Sequence, residues 1–139
     1  MVAGRRISFA ATDSGNFVFP QNSHYSQDMA ALSADVQILD PILSRFRREL
    51  DTIYGDRIDR IVLFGSRARG DGQADSDYDI AIFLHGFSDR WREMDKLVPL
   101  VTDIIEQTGA VIHPLPYGAG AWRERTPLMH EVRRDGVDL

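Results

Sequence analysis

Two aspartates, separated by a single residue, follow a Gly-Ser pair. Gly65 and Ser66 are followed by ten residues, and then by Asp77, Tyr78 and Asp79. In an extended strand alternate side chains share a face, so the two carboxylates point the same way, about 6–7 Å apart along the chain. Two such carboxylates can bind a divalent metal ion, and a Gly-Ser turn offers backbone N–H groups to phosphate oxygens. The pattern predicts a site for a metal ion and a polyphosphate.

Each half of this motif adjoins an apolar run that predicts a buried strand. The first run, residues 58–64, ends at the Gly-Ser pair, and the second, residues 77–84, begins with the aspartates. A short helical turn at residues 67–70 and a polar loop at residues 71–76 should connect the two strands. The face of the second strand opposite the aspartates is apolar enough for the core. It carries Tyr78, Ile80, Ile82 and Leu84.

Capping residues predict a helix before the motif and another near the end of the chain. The first helix has Asp40 as its N-cap and Pro41 at its first helical position, and Gly55 fits its C-terminal cap. The last helix, with Thr126 as its cap, covers residues 127–134. These helices should back the sheet.

A long helix follows the second strand, with Ser88 or Asp89 as its cap, and runs to about Thr108. Pro99 should kink this helix or split it in two, because an internal proline removes a hydrogen bond. We expect Trp91 to lie in the core or at its rim. The apolar stripe of the helix consists of Trp91, Met94, Leu97, Val98, Val101, Ile104 and Ile105.

A third strand is predicted at residues 110–115, where Pro114 and Pro116 indicate a sheet edge or a strand end. His113 is the only polar side chain on this strand. The order of the elements predicts an α/β (α+β) fold, with a small mixed sheet backed by helices.

Residues 35–139 are expected to form one domain, because the chain is long enough for one sizeable core. Residues 1–34 show no sustained periodicity and are rich in small and polar residues, so we expect a flexible N-terminal arm. The hydrophobic fraction of 43% and the charged fraction of 27% are those of an ordinary soluble globular protein.

Composition excludes several classes of function. The chain has no cysteine, which rules out disulfides and thiolate metal sites, and it has no apolar run of membrane-spanning length. A cytoplasmic location is therefore the default expectation. The net charge of −5 argues against broad nucleic-acid binding. The P-loop and Rossmann glycine motifs are absent.

The Gly65-Ser66 pair, the ten-residue spacing and the Asp77/Asp79 pair at the start of a hydrophobic strand resemble the minimal nucleotidyltransferases of the DNA polymerase β superfamily. The resemblance is strongest over residues 61–84. It implies the palm-like fold of that superfamily. It also implies that Asp77 and Asp79 are the catalytic residues and the metal ligands.

By the same resemblance, the Gly-Ser turn binds the nucleotide. Ser66 and the N–H groups of Gly65 and Arg67 would hold the β- and γ-phosphates. Arg69 would either neutralise phosphate charge or pin the loop. The implied cofactor is Mg²⁺ or Mn²⁺, and the implied substrate is ATP or another nucleoside triphosphate.

Small members of this family commonly pair with HEPN-domain proteins in prokaryotic toxin–antitoxin modules. The resemblance thus implies an antitoxin that transfers a nucleoside monophosphate, AMP in the first instance, to a HEPN-type protein partner. Whether the chain forms a homo-oligomer stays open.

Active members of the superfamily usually add a third carboxylate from a later strand. The corresponding strand here carries His113, and an imidazole can bind a metal or take a proton, although Mg²⁺ prefers oxygen ligands. The alternative prediction is a catalytically silent nucleotide- or partner-binding module. A third interpretation gives Asp77 and Asp79 a purely structural role at the start of the strand.

Overall fold

The computed structural model describes residues 40–139, so the predicted arm at residues 1–34 lies outside the described residues. Two short 3₁₀ turns, at Gly55–Arg57 and Ala119–Arg123, accompany the longer elements. The helices are α1 (Pro41–Tyr54), α2 (Gly65–Arg69), α3 (Arg90–Thr108) and α4 (Pro127–Asp135), and the strands are β1 (Ile58–Phe64), β2 (Tyr78–Leu84), β3 (Ile112–Gly118) and β4 (Val137–Asp138).

The four strands form one mixed sheet in the order β3-β2-β1-β4. Strand β1 pairs antiparallel with both β2 and β4, whereas β2 and β3 are parallel and are connected by α3. The expected α+β class with a small mixed sheet backed by helices is confirmed. Strand β4 was not predicted, because two residues are too few to show a strand period.

Apolar side chains cover both faces of the sheet. Tyr78, Ile80, Ile82 and Leu84 are buried in the core that the sheet forms with α1 and α3, as predicted. A second, smaller core lies on the other face, where Ala81 and Phe83 meet α4. Asp79 lies on the face of Ala81 and Phe83, since side chains alternate along the strand.

The caps form as predicted. The Asp40 carboxylate accepts a hydrogen bond from the N–H of Ile42 at 2.9 Å, and Asp89 caps α3. The Thr126 hydroxyl accepts from the N–H of Met129 at 3.2 Å. Pro99 does not split α3, which is continuous from Arg90 to Thr108. The buried residues of α3 before and after Pro99 belong to the same hydrophobic core.

The core-facing side of α3 differs from the prediction. Its buried residues are Glu93, Leu97, Leu100 and Ile104. Trp91 was expected in the core or at its rim, but it is 79% exposed, so that expectation was wrong. The predicted stripe spans about 140° of the helix circumference at 100° per residue, and periodicity alone does not show which part of it faces the sheet.

Glu93 is an acidic residue that the pattern did not predict to be buried. Its side chain is 2% exposed, and it accepts hydrogen bonds from Arg57 at 2.7 Å and from Lys96 at 3.1 Å. Burial by itself would raise the pKa of Glu93, but the hydrogen bonds and charges of Arg57 and Lys96 outweigh it and hold the pKa below its ordinary value. This cluster joins the first turn of α3 to the start of β1.

Strand β3 is an edge strand, as its two prolines predicted. It runs over Ile112–Gly118 rather than over residues 110–115, and it continues past the prolines because an edge strand can carry them where no partner strand needs their N–H groups. Within residues 40–139, no helix is long and apolar enough to cross a membrane.

Candidate functional site

The register between β1 and β2 places the Gly-Ser turn beside the second aspartate. Phe64, the last residue of β1, is opposite Asp79, so Gly65 follows at the level of this carboxylate. Gly65 has a φ of +74°, and a Cβ atom there would lie 2.6 Å from Asp79 Oδ2. Glycine is favoured here, because any other residue would be strained at this φ and its Cβ would require the Asp79 carboxylate to move. The Asp79 side chain therefore packs directly against the backbone at the start of α2.

The two aspartates flank a buried tyrosine. Asp79 is the second residue of β2 and is partly exposed, whereas Asp77 is exposed and lies one residue before the strand. The strand was predicted to start at residue 77 and starts at Tyr78. Because Tyr78 points into the core that contains α1 and α3, the alternation of the strand directs the Asp79 carboxylate away from that core.

Tyr78 anchors the start of this strand. Its hydroxyl donates a hydrogen bond to Asp40 Oδ2 at 2.9 Å, and its ring lies 3.8 Å from the centre of the Arg67 guanidinium. Burial raises the pKa of Tyr78, and the hydrogen bond to Asp40 adds to the effect. The sequence predicted Asp40 only as a helix cap. No local pattern indicates that its second oxygen binds a tyrosine 38 residues away.

Arg67 closes the loop that joins the two halves of the motif. Its Nε atom donates to the carbonyl of Ser76 at 2.7 Å, and its Nη2 atom donates to the carbonyl of Ala74 at 3.0 Å. Gly72 packs so closely on Arg67 that a Cβ atom would lie 3.1 Å from the side chain. The carbonyl of Ser66 accepts the N–H of Gly72 at 3.0 Å. These contacts show that Arg67 holds this loop, and its predicted contact with the nucleotide stays a prediction.

Arg69 points toward α4. Its guanidinium lies 3.4 Å from carboxylate oxygens of both Asp71 and Glu131, and 3.9 Å from Asp135. These three carboxylates more than compensate the single positive charge of the guanidinium. Of the two roles predicted for Arg69, these contacts favour pinning the loop over neutralising a phosphate.

His113 lies beside Asp79 in the parallel pairing of β2 and β3. Its Nδ1 atom is 3.3 Å from Asp79 Oδ1, and its side chain is 60% exposed. Within the part of the chain that the structure describes, no group of three or more His, Asp and Glu side chains is arranged to hold a metal ion. Carboxylate oxygens, which Asp77 and Asp79 carry, are the ligands that Mg²⁺ prefers, and the side chain beside Asp79 on the neighbouring strand is the imidazole of His113.

The sequence profile of the nucleotidyltransferase domain family matches residues 43–124, which is more than half of the chain. This chain is a member of the nucleotidyltransferase family. The matched range contains the Gly-Ser turn, both aspartates and His113, so the motif lies within the family domain.

Individual relatives of this nucleotidyltransferase domain were also found. A candidate protein adenylyltransferase of Methanocaldococcus jannaschii is 30% identical over 98 residues, which are 70% of this chain and 95% of that protein. A mutant of the MntA–HpeT toxin–antitoxin is a solved structure with 17% identity and a TM-score of 0.48, over 68% of this chain and 69% of the other. A toxin–antitoxin structure with AMP-PNP has 22% identity and a TM-score of 0.45, over 65% and 66%.

Proposed function

We propose that this nucleotidyltransferase domain binds a nucleoside triphosphate and a divalent metal ion beside Asp77, Asp79 and Gly65, and that it transfers a nucleoside monophosphate to a protein. The observation that carries the proposal is the Asp79 carboxylate packed against the backbone of Gly65 in a member of this family. The similarity to a candidate protein adenylyltransferase supports AMP as the transferred group.

Each residue of the site would have a separate role in binding the metal ion or the phosphates, or in holding the backbone around them. Asp77 and Asp79 would hold Mg²⁺ or Mn²⁺, which when bound stabilises the negative charge of the phosphates and of the leaving group. Ser66 and the N–H groups at the start of α2 would hold the β- and γ-phosphates. Arg67 keeps the intervening loop closed through its two carbonyl contacts. Tyr78 fixes the start of the strand that carries both aspartates.

The reaction is an in-line displacement at the α-phosphorus of ATP. A hydroxyl oxygen of the acceptor protein forms a bond to this phosphorus, the bond from the phosphorus to the bridging α–β oxygen breaks, and pyrophosphate leaves. The acceptor hydroxyl loses its proton in the process. We assign His113 to take that proton, because a neutral imidazole can do so and this one contacts Asp79.

We further propose that the acceptor is a HEPN-type partner protein in the cytoplasm and that the chain acts as its antitoxin. The support is the resemblance of the Gly-Ser and aspartate motif to minimal nucleotidyltransferases of toxin–antitoxin modules. The acidic net charge of −5 agrees with a protein acceptor rather than a nucleic acid.

A second candidate function is a silent module that binds nucleotide or partner without transfer. The observation that favours it is His113, which occupies the position next to Asp79 where a further carboxylate is expected. Mg²⁺ prefers oxygen to imidazole nitrogen, so the metal would be held by two protein carboxylates alone.

Labelling with α-³²P-ATP separates these functions. The full chain, Mg²⁺ and the protein that co-purifies with it should give a labelled partner, and Asp77→Asn and Asp79→Asn should each abolish the label. Asp75→Asn is the matched control, because it removes the same charge from an exposed position of the same loop and should leave labelling unchanged. Binding of ATP without labelling would favour the silent module. Failure to bind any nucleotide with any divalent ion would refute both nucleotidyl transfer and a silent nucleotide-binding module, and would leave only partner binding.

A further inference from the structure

Asp40 lies outside the Gly-Ser and aspartate motif, and its two carboxylate oxygens contact two different elements. Its Oδ1 atom accepts hydrogen bonds from the N–H groups of Ile42 at 2.9 Å and Leu43 at 3.3 Å, in the first turn of α1. Its Oδ2 atom accepts a hydrogen bond from the Tyr78 hydroxyl at 2.9 Å. One side chain therefore connects the start of α1 to the start of β2.

Tyr78 is held at three points. Besides the bond from its hydroxyl to Asp40, its backbone N–H donates to the carbonyl of Val111 at 2.9 Å. The central carbon of the Arg67 guanidinium lies 3.8 Å from the centre of its ring. Tyr78 stands between the two aspartates of the motif, and consecutive Cα atoms are a fixed distance of about 3.8 Å apart. The position of Tyr78 therefore limits where both aspartates can lie.

Arg67 extends this connection to the Gly-Ser half of the motif. It belongs to α2, the helix that begins with the Gly-Ser pair, and the guanidinium that lies on the Tyr78 ring also donates to two carbonyls of the intervening loop. The contacts from Asp40 through Tyr78 to Arg67 thus join both halves of the motif. The Tyr78 side chain makes them on the core face of β2, opposite the Asp79 carboxylate.

We propose that Asp40 is a positioning residue of the metal and nucleotide site, and that it acts through the Tyr78 hydroxyl on the backbone that carries Asp77 and Asp79. The inference rests on the proposed function, in which these two carboxylates hold the metal ion. Tyr78 is only 5% exposed, so without the Asp40 carboxylate its hydroxyl would be left buried and without this acceptor, which is unfavourable. The tyrosine would shift toward another acceptor, and the aspartates on either side would move with it.

Substitutions of Asp40 can separate its contact with Tyr78 from its role as a helix cap. Serine and asparagine both cap helices well. Asp40→Ser keeps an oxygen for the N–H groups of α1 but has no second oxygen for the tyrosine. Asp40→Asn keeps the capping oxygen, and its amide N–H can donate to the oxygen of Tyr78. A cap alone would make the two variants equivalent, whereas a positioning role requires that they differ.

Calorimetric titration of the full chain with ATP and Mn²⁺ tests the proposal. Asp40→Ser should weaken binding about tenfold, which is the size of effect seen when a group that orients metal ligands is removed. Asp40→Asn should bind nearly as well as the wild type. Asp89→Ala is the matched control, because it removes the cap of α3, which follows the other end of β2, and should leave the affinity unchanged. Circular dichroism establishes that all three variants are folded.

Tyr78→Phe tests the same hydrogen bond from the other side. It removes the hydroxyl and keeps the ring, so it should weaken binding as much as Asp40→Ser does, and the double variant should bind no more weakly than either single one. Unchanged affinity in Asp40→Ser, additive losses in the double variant, or an equal loss in Asp40→Asn or Asp89→Ala would overturn the inference and leave the proposed function in place. A wild-type chain that binds no ATP with Mn²⁺ would refute the proposed function, and the inference with it.

Discussion

Replacing Gly65 with alanine should damage both the stability of the domain and its site. The backbone at this position has a φ of +74°, and a left-handed conformation costs an ordinary residue about 1–2 kcal/mol. The new Cβ would also lie 2.6 Å from Asp79 Oδ2. Relieving an overpacked contact of this kind costs about 1–3 kcal/mol. We therefore expect Gly65→Ala to lower the free energy of unfolding by about 2–5 kcal/mol and to displace the Asp79 carboxylate.

Gly70→Ala is the matched control. Gly70 ends α2 with a φ of +80°, but nothing lies within 4 Å of a Cβ atom built there. It should lower the free energy of unfolding by the backbone cost alone, about 1–2 kcal/mol, and should leave nucleotide binding intact.

Urea denaturation of both variants, and of Gly65→Ala combined with Asp79→Ala, tests this reasoning. Removing the carboxylate removes the atom that the Cβ meets at 2.6 Å, so Gly65→Ala should cost no more in that background than Gly70→Ala does in the wild type. An equal cost of Gly65→Ala with and without the Asp79 carboxylate would refute the close contact. Titration with ATP and Mg²⁺ should in parallel show lost binding in Gly65→Ala.

Three further predictions follow from individual contacts. Arg67→Ala should lower the free energy of unfolding by about 1–3 kcal/mol and speed amide exchange in residues 71–76, as measured by mass spectrometry; unchanged exchange would show that Arg67 does not hold the loop. His113→Asp should restore a third carboxylate beside Asp79 and raise affinity for Mn²⁺ about tenfold in a titration, whereas unchanged affinity would show that this position is not part of the metal site. The lowered pKa of Glu93 means that its ion pairs stabilise the fold above pH 4.5 and that this contribution is lost as pH falls through the native pKa. Unfolding free energies measured between neutral pH and this acidic range should therefore fall less steeply in Glu93→Gln than in the wild type, and equal slopes would refute the coupling.

Features that depend on residues close together in the sequence were predicted correctly. Asp40 and Thr126 cap their helices as expected, because a cap binds N–H groups two or three residues away. The boundaries of β1 were also predicted, since Gly55 and Gly65 mark the turns on either side of the strand. The close approach of Gly65 to Asp79 follows from the motif only once the two strands are paired in register.

Features that depend on which elements pack together were not predicted. The apolar residues of α3 occupy two rows, and the sequence pattern does not distinguish the row that meets the sheet from the row that contains Trp91. The contact between His113 and Asp79 depends on the parallel register of β2 and β3, two strands separated by a 19-residue helix. The role of Arg67 likewise depends on how residues 71–76 fold back over it.

The most direct test of AMP transfer at Asp77 and Asp79 is the intact mass of the partner protein. The full chain is purified with the protein it binds, incubated with ATP and Mg²⁺, and both proteins are weighed by mass spectrometry. We predict that the partner gains one or more AMP groups, that each is accompanied by one pyrophosphate, and that Asp79→Asn prevents the gain. An unmodified partner, in a sample where ATP binding is saturated and depends on Asp79, would contradict transfer at this site.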